Sequence, residues 1–225
     1  MLQLISKCYC GIVWIRLIQL PLGVIVLNYR DYQNVRDAAW RILLDCGITR
    51  LPVDLNWVCR QLEVRHISYA RYWAELPEIA DQTDGMTFYK NGEPIILYDN
   101  RKSPNRVRFT VAHELGHLIL GHVKTNQTEA LRRGTAYQNN RMETEANQFA
   151  MRLLAPACVL WGLDLHNAEE IMEVCHISYQ AARIRARRMT LLYKRGKFLV
   201  SPLERELYQR FQGFITEGRL SGHPQ

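Results

Sequence analysis

Hydrophobic positions along the chain change their period from stretch to stretch, and each change marks an element. Within residues 31–45, Val35, Ala39, Ile42 and Leu43 fall on one helical face, and Gly47 follows as a C-cap. Pro52 opens a second helix that turns Leu55, Val58, Cys59 and Leu62 inward. Over residues 63–69 the period shortens to two, so that Val64, His66 and Ser68 alternate with Arg65, Ile67 and Tyr69 as in a strand. His66 reads as a surface or packing residue of that strand rather than a ligand. Residues 70–84 read as an irregular loop or short helix bordering a cleft. Residues 86–90 and Glu93–Tyr98 then flank Asn91-Gly92, a pair that tolerates positive φ, and so predict a β-hairpin. Pro94 suits an edge position, because it cannot donate to a ladder.

The helical period returns at residues 106–122, RVRFTVAHELGHLILGH. Val107, Val111, Leu115, Leu118 and Ile119 form an apolar stripe, while Arg106, Thr110, His113 and His117 lie toward another face. Ser103 or Asn105 is placed to cap this helix. His113-Glu114-Leu115-Gly116-His117 is an H-E-x-x-H signature. Its two imidazoles stand one turn apart on the same face and can hold one metal ion between them. Glu114 lies beside them and suits the general base that works on a metal-bound water.

A hydrolytic zinc site takes three protein ligands and an open position. The metzincin spacing does not supply the third, since Val123 stands where its histidine would be and His122 is one place early. The next helical stripe, Met142, Ala146, Phe149 and Leu153, carries Glu143 and Glu145. A glutamate from that helix, packed across from the histidines, completes a His2Glu set.

These motifs make the chain recognisable. RFTVAHELGH, the E-x-E-A-N-x-F-A run from Glu143, and Leu153-Leu154-Ala155-Pro156 closely resemble the ImmA/IrrE family of metallopeptidases, over roughly residues 30–190. The resemblance implies a zinc-dependent intracellular protease whose protein substrate is a helix-turn-helix transcriptional repressor. Carried over by position, His113 and His117 are metal ligands and Glu114 is the catalytic glutamate. Glu143 is favoured as the third ligand, with Glu145 the fallback or a partner that orients a ligand. The expected fold is α+β: a zincin-like helical domain with a small antiparallel sheet beside the H-E-x-x-H helix, followed by a helical C-terminal segment. One strand of the hairpin is expected to accept extended substrate along its edge. His122 and Tyr137 are candidates for stabilising the developing oxyanion. Three divisions of the chain follow: an N-terminal extension to residue 27, a peptidase domain over residues 28–165, and a basic helical segment over residues 166–225.

Charge and cysteine usage change this picture only at the ends. Residues 12–27 are apolar, but Arg16, Gln19 and Pro21 break the run. That stretch reads as a non-native or unimportant extension in preference to a membrane anchor, because Arg16 is costly in a bilayer and the run is short. The six cysteines form no C-x-x-C and read as buried thiols of a reducing, cytoplasmic compartment. The net charge is +7, and residues 179–225 hold all of it, with ten Lys/Arg against three Asp/Glu. Ala168–Cys175, a turn at His176-Ile177, and a helix over 179–193 capped by Ser178 look like a helix-turn-helix. Arg183, Arg185, Arg187, Arg188, Lys194, Arg195 and Lys197 are its candidate phosphate contacts. The same cations suit the solvated face of a packing helix with Ala182, Ala186, Met189 and Tyr193 buried, so nucleic acid is the less favoured partner. Residues beyond Arg219 read as a disordered tail. Two other functions fit the same sequence: a non-proteolytic regulator that binds protein or DNA, and a toxin–antitoxin component.

Overall fold

A computed structural model describes residues 34–71, 83–123 and 140–220. The hydrophobic extension, most of the 70–84 stretch, Tyr137 and the last five residues lie outside the described residues.

Helix α1 (Val35–Asp45) begins at Asn34, whose side chain accepts the Asp37 N–H. It ends where Gly47 takes φ 66° and donates its N–H to the Leu44 carbonyl. Helix α2 (Leu55–Gln61) begins three residues later than Pro52 suggests, because the Asp54 carboxylate accepts the Trp57 N–H and sets the cap. Three strands follow: β1 (Arg65–Ser68), β2 (Gly85–Lys90) and β3 (Glu93–Tyr98). Asn91 and Gly92 turn the hairpin with φ of 55° and 81°. His66 bonds Asn56 at 2.8 Å and stacks on Tyr98, which makes it a packing residue.

The sheet is mixed rather than antiparallel. β3 lies in the middle, antiparallel to β2 and parallel to β1, with Arg65 opposite Ile95. The alternation of residues 63–69 shows a strand but carries no information about its direction relative to a partner, which depends on the intervening chain. Pro94 therefore sits in the central strand, not at an edge. It is tolerated because β1 begins pairing one residue later, at Ile95.

The hairpin lies against α3 (Pro104–Ile119), the H-E-x-x-H helix. Ser103 occupies its N-cap without a side-chain bond, Pro104 fills the first turn, and Asn105 donates instead to the Ile177 carbonyl. Val111 and Leu115 are buried, and Val107, Leu118 and Ile119 pack at the margin of the same core. Helix α4 (Asn140–Leu154) crosses α3 closely. Gly116 makes that approach possible: a Cβ there would stand 3.2 Å from the Ala146 Cα and 3.1 Å from a Phe149 ring carbon. Because a helix backbone cannot step aside, any side chain at 116 must push the two helices apart.

The chain continues through α5 (Ala157–Gly162), α6 (Ala168–Cys175), α7 (Tyr179–Arg195), α8 (Pro202–Arg210) and α9 (Gln212–Leu220). His176, in the left-handed region, and the Ser178 cap join α6 to α7 as the sequence predicts. Leu207, Phe211 and Ile215 belong to the same hydrophobic cluster as α1, α3 and α4. Arg185, a candidate phosphate contact by sequence, is buried instead. It lies on the packed stripe of Ala182 and Met189, where burial pulls its pKa down to about 10. Arg183, Arg187, Arg188, Lys194, Arg195 and Lys197 are exposed. Among the described residues, no helix is long and apolar enough to cross a membrane.

Replacing Gly116 with valine should destabilise the protein by about 1–3 kcal/mol through overpacking, read as a lower urea midpoint. An unchanged midpoint would contradict the contact between α3 and α4. Cys46, Cys59, Cys158 and Cys175 are buried free thiols whose pKa burial pushes up to about 12. At pH 7–8 they remain protonated, so peptide mapping after brief alkylation of the native protein should find these four unmodified. Rapid labelling of any of them would show the core to be open.

Candidate metal centre

Helical spacing alone brings the first two side chains together. His113 and His117 are one turn apart on α3, and their Nε2 atoms stand 3.0 Å from each other. Glu143, from the first turn of α4, faces both: one carboxylate oxygen lies 3.2 Å from His117 Nε2 and the other 3.3 Å from His113 Nε2. Among the described residues these three side chains form a cluster able to hold a metal ion.

The spacing of the cluster tests that fit. With bonds of about 2.0–2.1 Å, neighbouring ligands of a tetrahedral zinc stand roughly 3.3 Å apart. The observed separations of 3.0, 3.2 and 3.3 Å match that edge length. The donor set fits as well, since neutral imidazole and carboxylate are the ligands such an ion takes in a hydrolytic site. Burial, with His113 and His122 nearby, pushes the His117 pKa down to about 3. Burial also lowers that of His113, against the pull of Glu143. Both rings therefore keep a free lone pair at neutral pH.

The two downstream glutamates separate by helix geometry. Glu143 and Asn147 are one turn apart and share a face. Glu143 meets both histidines, while the Asn147 side-chain oxygen lies 3.1 Å from His113 Nδ1. That bond leaves His113 Nε2 for the site. Glu145, two residues from Glu143, points elsewhere and meets His122 and Arg141. His122 is not part of the three-residue cluster. It is buried behind His117, with its Nδ1 3.1 Å from His117 Nδ1, because the turn after α3 folds it back against that ring.

Glu114 is buried at the edge of the cluster. Its Oε2 accepts from the Thr87 hydroxyl of β2 at 2.8 Å. Burial raises its pKa to about 7, the Thr87 bond lowers it, and the Glu143 charge raises it. Gly85, also on β2, packs directly on Thr110 and Glu114 with no room for a side chain. Thr87 and Asn147 escaped sequence reasoning. Asn147 has a local signal, its four-residue spacing from Glu143. Thr87 has none, because it reaches Glu114 only through the packing of the hairpin on α3.

A mixed sheet laid on a helix with paired histidines, and a carboxylate delivered from the next helix, form an arrangement of the metallopeptidase type. The chain matches the model of the IrrE N-terminal-like domain, Peptidase M78, over residues 59–187, more than half its length. It belongs to that family. No curated protein matches it closely enough to add a nearer relative.

The Thr87 hydroxyl favours the charged form of Glu114, so Thr87→Val should move the Glu114 titration upward from its midpoint near 7. A carboxyl-carbon NMR titration of the metal-free protein reads the shift directly. A midpoint that stays or falls would remove Thr87 from this role.

Proposed function

We propose that the protein is a zinc-dependent endopeptidase that cleaves a helix-turn-helix transcriptional repressor inside the cell. The observation that carries this reading is the convergence of His113, His117 and Glu143 at zinc-ligand separations with Glu114 alongside. Family membership supports the peptidase part; the repressor substrate is the family's implication brought to this chain. Buried free thiols suit a reducing compartment.

In this reading His113, His117 and Glu143 would hold a zinc ion, the two imidazoles through Nε2 and the glutamate through its carboxylate. Bound zinc would supply Lewis-acid polarisation of the scissile carbonyl and acidify the attacking water. Glu114 takes the proton of that water and later hands it to the leaving amine nitrogen. Its pKa near 7 matches this double duty, because the group must both accept and release a proton at working pH. Thr87 keeps the carboxylate aimed at the site, and Asn147 keeps His113 in the ligating tautomer. β2 lies beside α3, touching it through Gly85 and Thr87, and is an edge strand of the described sheet; substrate main chain is proposed to run along it.

Glu114→Gln should retain zinc and lose roughly a hundred- to ten-thousand-fold in cleavage. His117→Ala should lose both. The measurements are metal content of the purified protein and fragment formation on co-expression with a repressor encoded nearby. Normal cleavage by Glu114→Gln would rule out its role as base. Retained zinc with no cleavage of any repressor by the wild type would favour a binding-only regulator or a toxin–antitoxin component.

A further inference from the structure

The two histidines of the candidate site are supported unequally. His113 rests on a neutral amide, Asn147. His117 rests on a chain of three more side chains: its Nδ1 is 3.1 Å from His122 Nδ1, His122 Nε2 is 3.2 Å from Glu145 Oε2, and Arg141 Nε is 2.8 Å from Glu145 Oε1. The chain runs from a buried ring through a second buried ring to a partly exposed carboxylate and an exposed guanidinium.

Only one arrangement of protons satisfies these three bonds once a neutral His117 uses Nε2 as a ligand. A neutral His117 must then carry its hydrogen on Nδ1 and donate it. His122 Nδ1 must accept, so the His122 hydrogen sits on Nε2 and is donated to Glu145. The carboxylate accepts from His122 on one oxygen and from Arg141 on the other. The direction of donation is therefore fixed from the metal face outward to a negative charge held in place by a cation. A carboxylate at the end of such a chain makes the ligand more electron-rich and holds its ring plane.

We propose that His122 and Glu145, with Arg141 behind them, form a relay that orients His117 and strengthens its hold on the metal. The inference rests on the metal-site reading above and extends it to residues that touch neither metal nor substrate. His122 and Glu145 are positioning residues. They act by keeping His117 Nε2 unprotonated and aimed, in a way that Asn147 does for His113 without the charge.

The test is zinc affinity by competition with a chromogenic chelator, together with the melting temperature of the metal-free protein. His122→Ala should weaken zinc binding about 10–100-fold. His122→Asn places a side-chain oxygen where Nδ1 accepts, so it should recover most of that loss. Glu145→Gln keeps the shape and an acceptor but removes the charge, and its affinity should fall between the wild type and His122→Ala. Cobalt substituted for zinc should show a changed visible spectrum in the Ala variant and a nearly native one in the Asn variant. A packing role alone would instead lower the metal-free melting temperature and leave affinity and spectrum in place, and that result overturns the proposal. If His122→Ala fails to fold, equal affinities for wild type, His122→Asn and Glu145→Gln, with unchanged spectra, overturn it as well. Failure of the underlying reading looks different: the wild type itself would take up no stoichiometric zinc.

Discussion

The close passage of α3 over α4 governs the rest of this molecule. Gly116 sits inside the H-E-x-x-H run and presents no side chain to Ala146 and Phe149. That absence lets the two helix backbones approach until Glu143 reaches both imidazoles at 3.2–3.3 Å. The two histidines need only one helix. The third ligand needs two helices held at a fixed separation, and a metal site tolerates little error in that separation. The site is therefore an outcome of core packing: Leu115, Phe149, Ala150 and Leu153, all fully buried, hold the pair together beneath it.

The electrostatics follow from the same burial. Imidazoles removed from water stay neutral, which keeps their lone pairs available, and a carboxylate removed from water drifts toward neutral pH. Burial, the larger influence, favours the protonated acid form of Glu114. The Thr87 hydroxyl opposes that shift by bonding the charged form. The hairpin thus has a chemical task beyond packing, and Gly85 permits it by bringing β2 against Thr110 and Glu114. On the far side of the site, the Glu145–Arg141 pair lies where solvent reaches it and can end a buried chain with a compensated charge.

The basic C-terminal portion shows how burial redistributes roles that charge alone suggests. Arg185 is withdrawn into the core on the packed stripe of α7, while Arg183, Arg187 and Arg188 of the same helix are exposed. α6 carries Glu169 and Glu173 at exposed positions, and the Tyr179 hydroxyl at the start of α7 donates to Glu169. Leu207, Phe211 and Ile215 meanwhile attach the last helices to the common core.

Much of this was legible in the sequence, for a physical reason: periodicity and caps are local. The hairpin, α3 with its histidines on one face, and the Ser178-capped helix follow from spacing within a few residues. Helical spacing left Glu143 and Glu145 as a pair, and only the family resemblance favoured Glu143. Choosing between them requires knowing which face of α4 meets α3, and two residues of separation turn a side chain to a different face. Direction in the sheet, the place of Pro94, the withdrawal of Arg185 and the seat of His122 behind His117 were likewise outside local reach. So was the Thr87 bond to Glu114, which joins residues 27 apart in sequence. Sequence by itself determined which groups can ligate, donate or accept, because that is side-chain chemistry. Only the tertiary structure decided which of them meet, because meeting depends on how closely two helices and a hairpin pack around Gly116 and Gly85.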